Sequence, residues 1–150
     1  MQMYKTVLLC YDGSTEGRKA LREGALLARA IGAQTHLLAI CRDLASSSTL
    51  GPEAVTSTLV ECEEHMAQSI LDQGVDKLRE LGIDAQGALL IGDPLVHIPN
   101  FAAKVHADLV VIGHRPRSRI ARWWSDSPHP VLLDRVSCSI LISHADAAPQ

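Results

Sequence analysis

The 150-residue chain is 47% hydrophobic and 21% charged with a formal net charge of −3, which fits one soluble globular domain spanning residues 1–150. The weak negative balance excludes bulk nucleic-acid binding, and no apolar run reaches the ~18 residues of a membrane span, so neither nucleic acid nor membrane is an expected partner. The opening MQMYKTVLLCYD lacks the form of a signal peptide, and Cys10, Cys41, Cys62 and Cys138 stand singly with no CxxC, so reduced, mostly buried thiols in a cytoplasmic protein are expected.

Thr6 to Tyr11 reads as a first strand, apolar throughout and therefore central in a sheet. Asp12-Gly13-Ser14 is turn chemistry, with Ser14 as N-cap of a helix to about Ile31. Ala20, Leu21, Leu27, Ala28 and Ile31 form its apolar stripe, and Gly32 suits the C′ position. Thr35 to Cys41 is a second strand. The stretch from Arg42 to Pro52 is irregular and long enough to lie over a cleft. A helix is expected from Glu53 to Leu81, with Val55, Leu59, Cys62, Met66, Ile70, Val75, Leu78 and Leu81 on one face and Gly82 ending it. Gly74 inside it costs ~1 kcal/mol against alanine and marks a possible bend.

Ala88 to Ile91 is a third strand, closed by Gly92-Asp93-Pro94, where Asp93 is an N-cap and Pro94 the first helical residue. Pro99 would delete the helical bond to Leu95, so this helix should kink there or restart. Asp108 to Gly113 is a fourth strand. Ser127-Pro128 signals a short helix through about Arg135, Cys138 to Ser143 is a fifth strand, and residues 145–150 form a frayed tail. Five β-runs alternating with four helices specify parallel β-α-β units, in a doubly wound α/β sheet of order 3-2-1-4-5 with helices on both faces. The switch point then lies between strands one and four, where Asp12 and Gly113 both stand at C-terminal strand ends.

The loop from His114 to Asp126 carries Arg115, Arg117, Arg119 and Arg122 against one acid, a net of +3, while the rest of the chain sums to −6. A positive loop at that end of a buried strand is where such a sheet would receive an anion. The competing reading makes the arginines a solvated surface.

These residues resemble the universal stress protein family from Tyr4 to Ser143. The resemblance lies in Tyr11-Asp12-Gly13-Ser14, in Gly92-Asp93-Pro94, and in the run from Ala107 through Asp108-Leu109-Val110-Val111-Ile112 to Gly113. It implies an adenine nucleotide alpha hydrolase-like α/β domain, usually a homodimer, linked to survival under stress. Members that bind ATP have, after the fourth strand, Gly, two residues, Gly, nine residues, then Gly-Ser or Gly-Thr. The same spacing here gives Gly113, Pro116 and Asp126-Ser127, so only the first glycine and the final serine remain. Glycines let N–H groups approach phosphate and adopt positive φ, whereas Pro116 has no N–H and Asp126 adds a carboxylate. Two losses of ~1–3 kcal/mol each would weaken binding by roughly one to four decades unless the arginines compensate through bidentate guanidinium contacts. On this resemblance Asp12 and Gly13 lie near ribose and adenine, Ile40 and Cys41 border the base, and Gly113, Arg115, Arg117, Arg119 and Ser127 hold phosphate, with Mg²⁺ accompanying ATP.

No GxGxxG or GxxxxGK[ST] occurs, so dinucleotide and P-loop fingerprints are absent. Asp12-Gly13-Ser14-Thr15 falls short of the pyrophosphatase loop, and His97-Ile98-Pro99-Asn100 lacks the glycine and second histidine of the HIGH signature. Cys62 and His65 share a helix face but make no four-ligand metal site, and the remaining histidines fit surface or turn positions. Adjacent Trp123 and Trp124 cannot face one way, so one ring packs on the sheet edge and the other needs a second surface. The last strand is an edge with few charges, and Val136, Cys138, Ile140 and Ile142 suit an isologous dimer. The expected protein is a homodimeric, weakly ATP-binding stress sensor. Its alternative is a relative that has lost the nucleotide and works through protein contacts. A slow ATPase or nucleotidyl-transfer enzyme ranks third, because no catalytic base or nucleophile stands out.

Overall fold

The apolar runs become five strands, β1 (Thr6–Tyr11), β2 (Gln34–Cys41), β3 (Gln86–Ile91), β4 (Leu109–His114) and β5 (Ser139–His144). Between them stand α1 (Thr15–Ile31), α2 (Ser57–Glu80), α3 (Pro94–Lys104) and α4 (Leu132–Arg135). This computed structural model describes residues 2–41, 57–114 and 132–144. The expected irregular stretch 42–52, the first turn of the helix expected from Glu53, the start of the last helix at Ser127 and the tail 145–150 lie outside the described residues.

All pairings are parallel and the order is β3-β2-β1-β4-β5, as the alternation of strands and helices requires. β1 is central and sets the layering, because its side chains alternate between two cores. Val7, Leu9 and Tyr11 pack with α1, α2, Leu37 and Val111 on one face. Leu8 and Cys10 pack with Leu38, Ile40, Val110, Ile112, Ile98 of α3 and Leu132 of α4 on the other.

Two helices press onto the sheet through glycine. A Cβ at Gly24 of α1 would stand 2.5 Å from Leu9 Cδ2 and 2.9 Å from Val111 Cγ1, and one at Gly74 of α2 would stand 2.7 Å from Leu37 Cδ2. Gly74 therefore marks close packing within a helix that runs unbroken from Ser57 to Glu80. The buried side of α2 differs from expectation. Ala67, Leu71, Gly74, Val75 and Leu78 define it, while Met66 is 60% exposed. One step along a helix turns a side chain by about 100°, so Ala67 takes the inward place that Met66 was expected to fill.

Ser14 caps α1, its Oγ accepting from Gly17 N–H at 2.9 Å, and Gly32 ends the helix in the left-handed conformation. Asp93 caps α3 by accepting from Leu95 N–H at 2.9 Å. Pro99 does not restart α3, which is a single helix from Pro94 to Lys104. The Leu95 carbonyl that Pro99 deprives of its helical donor accepts instead from Arg135 Nη1 at 3.3 Å, so α4 supplies the missing bond. No helix among the described residues is long and apolar enough to cross a membrane.

Candidate functional site

β1 and β4 lie side by side, yet the chain leaves β1 for α1 on one face and reaches α4 on the other face after β4. Their C-terminal ends therefore flank the switch point, where an open parallel sheet takes its ligands.

The turn after β1 is held by its own polar atoms. Gly13 has φ 82°, which a side chain would strain. Asp12 Oδ1 accepts from Ser14 N–H at 2.9 Å and from Ser14 Oγ, while Ser14 Oγ in turn serves the α1 cap. Asp12 Oδ2 has no partner among the described residues. Beneath the turn lies Ile70 of α2, whose Cγ1 would be 3.2 Å from a Cβ on Gly13.

Gly113 meets the same place from the β4 side. A Cβ there would stand 2.6 Å from the Glu16 carbonyl oxygen and 3.1 Å from Gly17 N, and one at Gly17 would stand 2.7 Å from Asp12 Oδ1. The first turn of α1 is thus wedged between Asp12 and Gly113, which lie about a hundred residues apart in sequence. Of the two uses expected of the glycines in this pattern, approach of the N–H to phosphate and positive φ, Gly113 does not adopt the second. Close approach of β4 to α1 is what excludes a side chain.

The end of β2 adds Ile40 and Cys41. Ile40 is 6% exposed and its side chain belongs to the core shared with α3, so only its backbone borders the crevice. Cys41 is half-buried, and its thiol is pushed up first by burial and then by the Asp12 carboxylate, which places that charge nearby. Burial also raises Cys10 and Cys138, so the described thiols are free and protonated at neutral pH, the opposite of activated nucleophiles. No group of three or more potential metal ligands occurs among the described residues.

Of the expected site residues, Asp12, Gly13, Ile40, Cys41 and Gly113 come together around this end of the sheet. Arg115, Arg117, Arg119, Arg122 and Ser127 lie outside the described residues, as do Pro116, Asp126, Trp123 and Trp124. The expected dimer residues sit on or beside β5, the end strand of the sheet. Val136, Cys138 and Ile140 lean on the α3-side core, Ile142 is half-buried, and Leu141 is 36% exposed. The C-terminal end of β5 is tied to α1, with Ser143 Oγ donating to Glu23 and Lys19 Nζ donating to the His144 carbonyl at 2.8 Å.

Sequence reasoning missed Ile70 and Gly17 as parts of this end of the sheet, although a glycine inside a helical pattern is a signal of close approach. His97, expected at a surface or turn position, stands against the turn after β3, its Nε2 3.0 Å from the Ile91 carbonyl.

The universal stress protein family model matches residues 3–144. A universal stress protein of Bacillus subtilis is 26% identical over 146 residues, covering 93% of this chain and 99% of the relative. Among solved structures, the universal stress protein of Archaeoglobus fulgidus in complex with dAMP superposes with a TM-score of 0.62 at 20% identity, covering 95% of this chain and 98% of the other. A universal stress protein family member from Arabidopsis thaliana with AMP bound gives 0.68 at 16% identity, covering 95% and 93%.

Proposed function

The chain belongs to the universal stress protein family, and we propose that it binds an adenine nucleotide at the β1–β4 switch point. It does so weakly, as a homodimeric sensor in the stress response. The observation that carries this reading is the wedge of α1 between Asp12 and Gly113, which puts a carboxylate with an oxygen that has no partner among the described residues beside the end of β4, where the basic segment begins. The adenine nucleotides bound by the Archaeoglobus and Arabidopsis proteins support it.

Charge sets the orientation. Asp12 repels phosphate and accepts from ribose hydroxyls, so the sugar belongs at Asp12 and Gly13. Phosphate belongs on the β4 side, toward Arg115, Arg117, Arg119 and Ser127, and Mg²⁺ would ride on the phosphates of ATP. The base then lies over the ends of β2 and β3, past Ile40 and Cys41. Dimerisation uses the β5 edge, where Leu141 and the main chain are open to a second copy alongside Val136, Cys138, Ile140 and Ile142.

Calorimetry with ATP and Mg²⁺ on the wild type, Asp12→Ala and Arg117→Ala tests the proposal. Measurable heat, weakened in both variants, is expected. No heat up to millimolar ATP would favour the reading in which Pro116 and Asp126 have abolished nucleotide binding and the protein acts through protein contacts. Heat unchanged by Asp12→Ala would put the ligand elsewhere.

A further inference from the structure

His36 lies in β2 with Leu8 of β1 on one side of it and Gln86 of β3 on the other. Strand alternation turns it to the same face as Leu38 and Ile40, the face that α3 covers with Ile98, Phe101 and Ala102. The residue is 8% exposed, and its ring makes no hydrogen bond or ion pair with any described residue. Buried polar groups nearly always have a partner, so an imidazole left without one calls for a reason.

No described group balances a charge there. β1 carries Cys10 on this face, its thiol kept protonated by burial, and β3 carries no titratable group. The titratable groups of α3 are His97, against the Ile91 carbonyl at the far end of β3, and Lys104, whose ammonium lies 5.8 Å from the centre of the Phe101 ring. On α4, Asp134 and Arg135 are exposed. Around the near end of the sheet Asp84 is exposed, and Asp108 accepts from Lys5 and Thr6 N–H. None of these groups moves the ring's affinity for a proton, which burial alone pushes down.

A neutral ring can stay in place at the cost of its unmade hydrogen bonds. An imidazolium there would be a buried charge without a counter-ion, which costs far more. The unfolded chain has no such penalty and takes up the proton as an ordinary histidine does. We propose that His36 makes the fold acid-sensitive, a proton on this ring weakening the core between β2 and α3 and shifting the molecule toward unfolding. The device is independent of the nucleotide reading, since His36 lies toward the start of β2 and Cys41 at its end. Because the folded value lies below the unfolded one, the stabilisation is complete above the unfolded value of 6.5 and is lost as pH falls from there toward the folded value.

Urea unfolding of the wild type, His36→Leu and His36→Gln from about pH 7.5 to about pH 5.5 tests the proposal. Leucine removes the polar ring, and glutamine keeps a polar side chain that cannot titrate. Over this range the wild-type folding equilibrium constant is expected to fall by up to about tenfold more than that of either variant, the effect of one proton taken up by the unfolded chain alone. An equal fall in all three proteins would overturn the proposal. The His36 ring signal, followed by NMR in the folded wild type, gives a second reading that depends on no variant. A titration midpoint below 6.5 is expected, and one at or above 6.5 would overturn the proposal as well.

Discussion

The turn after β1 reads Asp12-Gly13-Ser14 and the turn after β3 reads Gly92-Asp93-Pro94, and each launches a helix from the same end of the sheet. In the first, Ser14 takes the cap, and Asp12 receives the Ser14 N–H and hydroxyl on one oxygen only. In the second, no hydroxyl is present and Asp93 itself must cap, accepting from Leu95 N–H. Among the described residues each carboxylate uses only its Oδ1, and the turns differ in what that oxygen does: at the first it braces the serine that caps, and at the second it is the cap itself.

The severest break in this comparison comes from filling the gap at the first turn. Gly113→Val would drive a side chain into the Glu16 backbone, lowering stability by about 3 kcal/mol and nucleotide binding with it. The urea unfolding midpoint reads the first effect, and a midpoint equal to wild type would mean β4 and α1 do not approach as described.

A pair of aspartate variants sharpens the contrast. Asp93→Ala should lose about 1 kcal/mol of stability as a removed N-cap and leave nucleotide affinity nearly unchanged. Asp12→Ala should lose about half that stability, because Ser14 keeps the cap, and reduce affinity by about tenfold. Urea unfolding and calorimetry on both proteins check the crossed pattern, and matching losses in both would dissolve the distinction between the turns.

A third carboxylate, at the opposite end of the sheet, is tied to the backbone through one oxygen. Asp108 Oδ2 accepts from Lys5 N–H at 2.8 Å and Thr6 N–H at 2.9 Å, and these bonds hold its carboxyl below the ordinary value. Since the folded value lies below the unfolded one, the stabilisation is complete above the unfolded value and is lost as pH falls through the folded one. Asp108→Asn should therefore flatten the acid limb of the stability profile and leave nucleotide binding untouched. Urea midpoints from neutral to acidic pH would show it, and an acid limb as steep as wild type would contradict the assignment. This is the smallest effect of the three, since the group is partly exposed.

The strand order and both caps were legible because they depend on local chemistry: unbroken apolar runs, a serine or aspartate at a helix start, a glycine past its end. What stayed hidden depends on distant partners. Pro99 looked like a break because its substitute donor, Arg135, lies 36 residues on, and the Glu16 carbonyl that excludes a side chain at Gly113 is likewise remote in sequence. Met66 and Ala67 were interchangeable by spacing, and only the position of the sheet decides which faces in. His97 gave no signal, since the room for its ring is made by Gly92, five residues away across a turn.

The central claim is that Asp12-Gly13, Cys41 and Gly113 share one ligand. Titrating isotope-labelled protein with AMP and following the backbone amides by NMR tests it most directly. The account predicts that Gly13, Cys41 and Gly113 shift together with one saturation curve, while Gly32 and Gly82, at the far end of the sheet, stay still. Shifts confined to Gly32 and Gly82, or separate curves for Gly13 and Gly113, would contradict it.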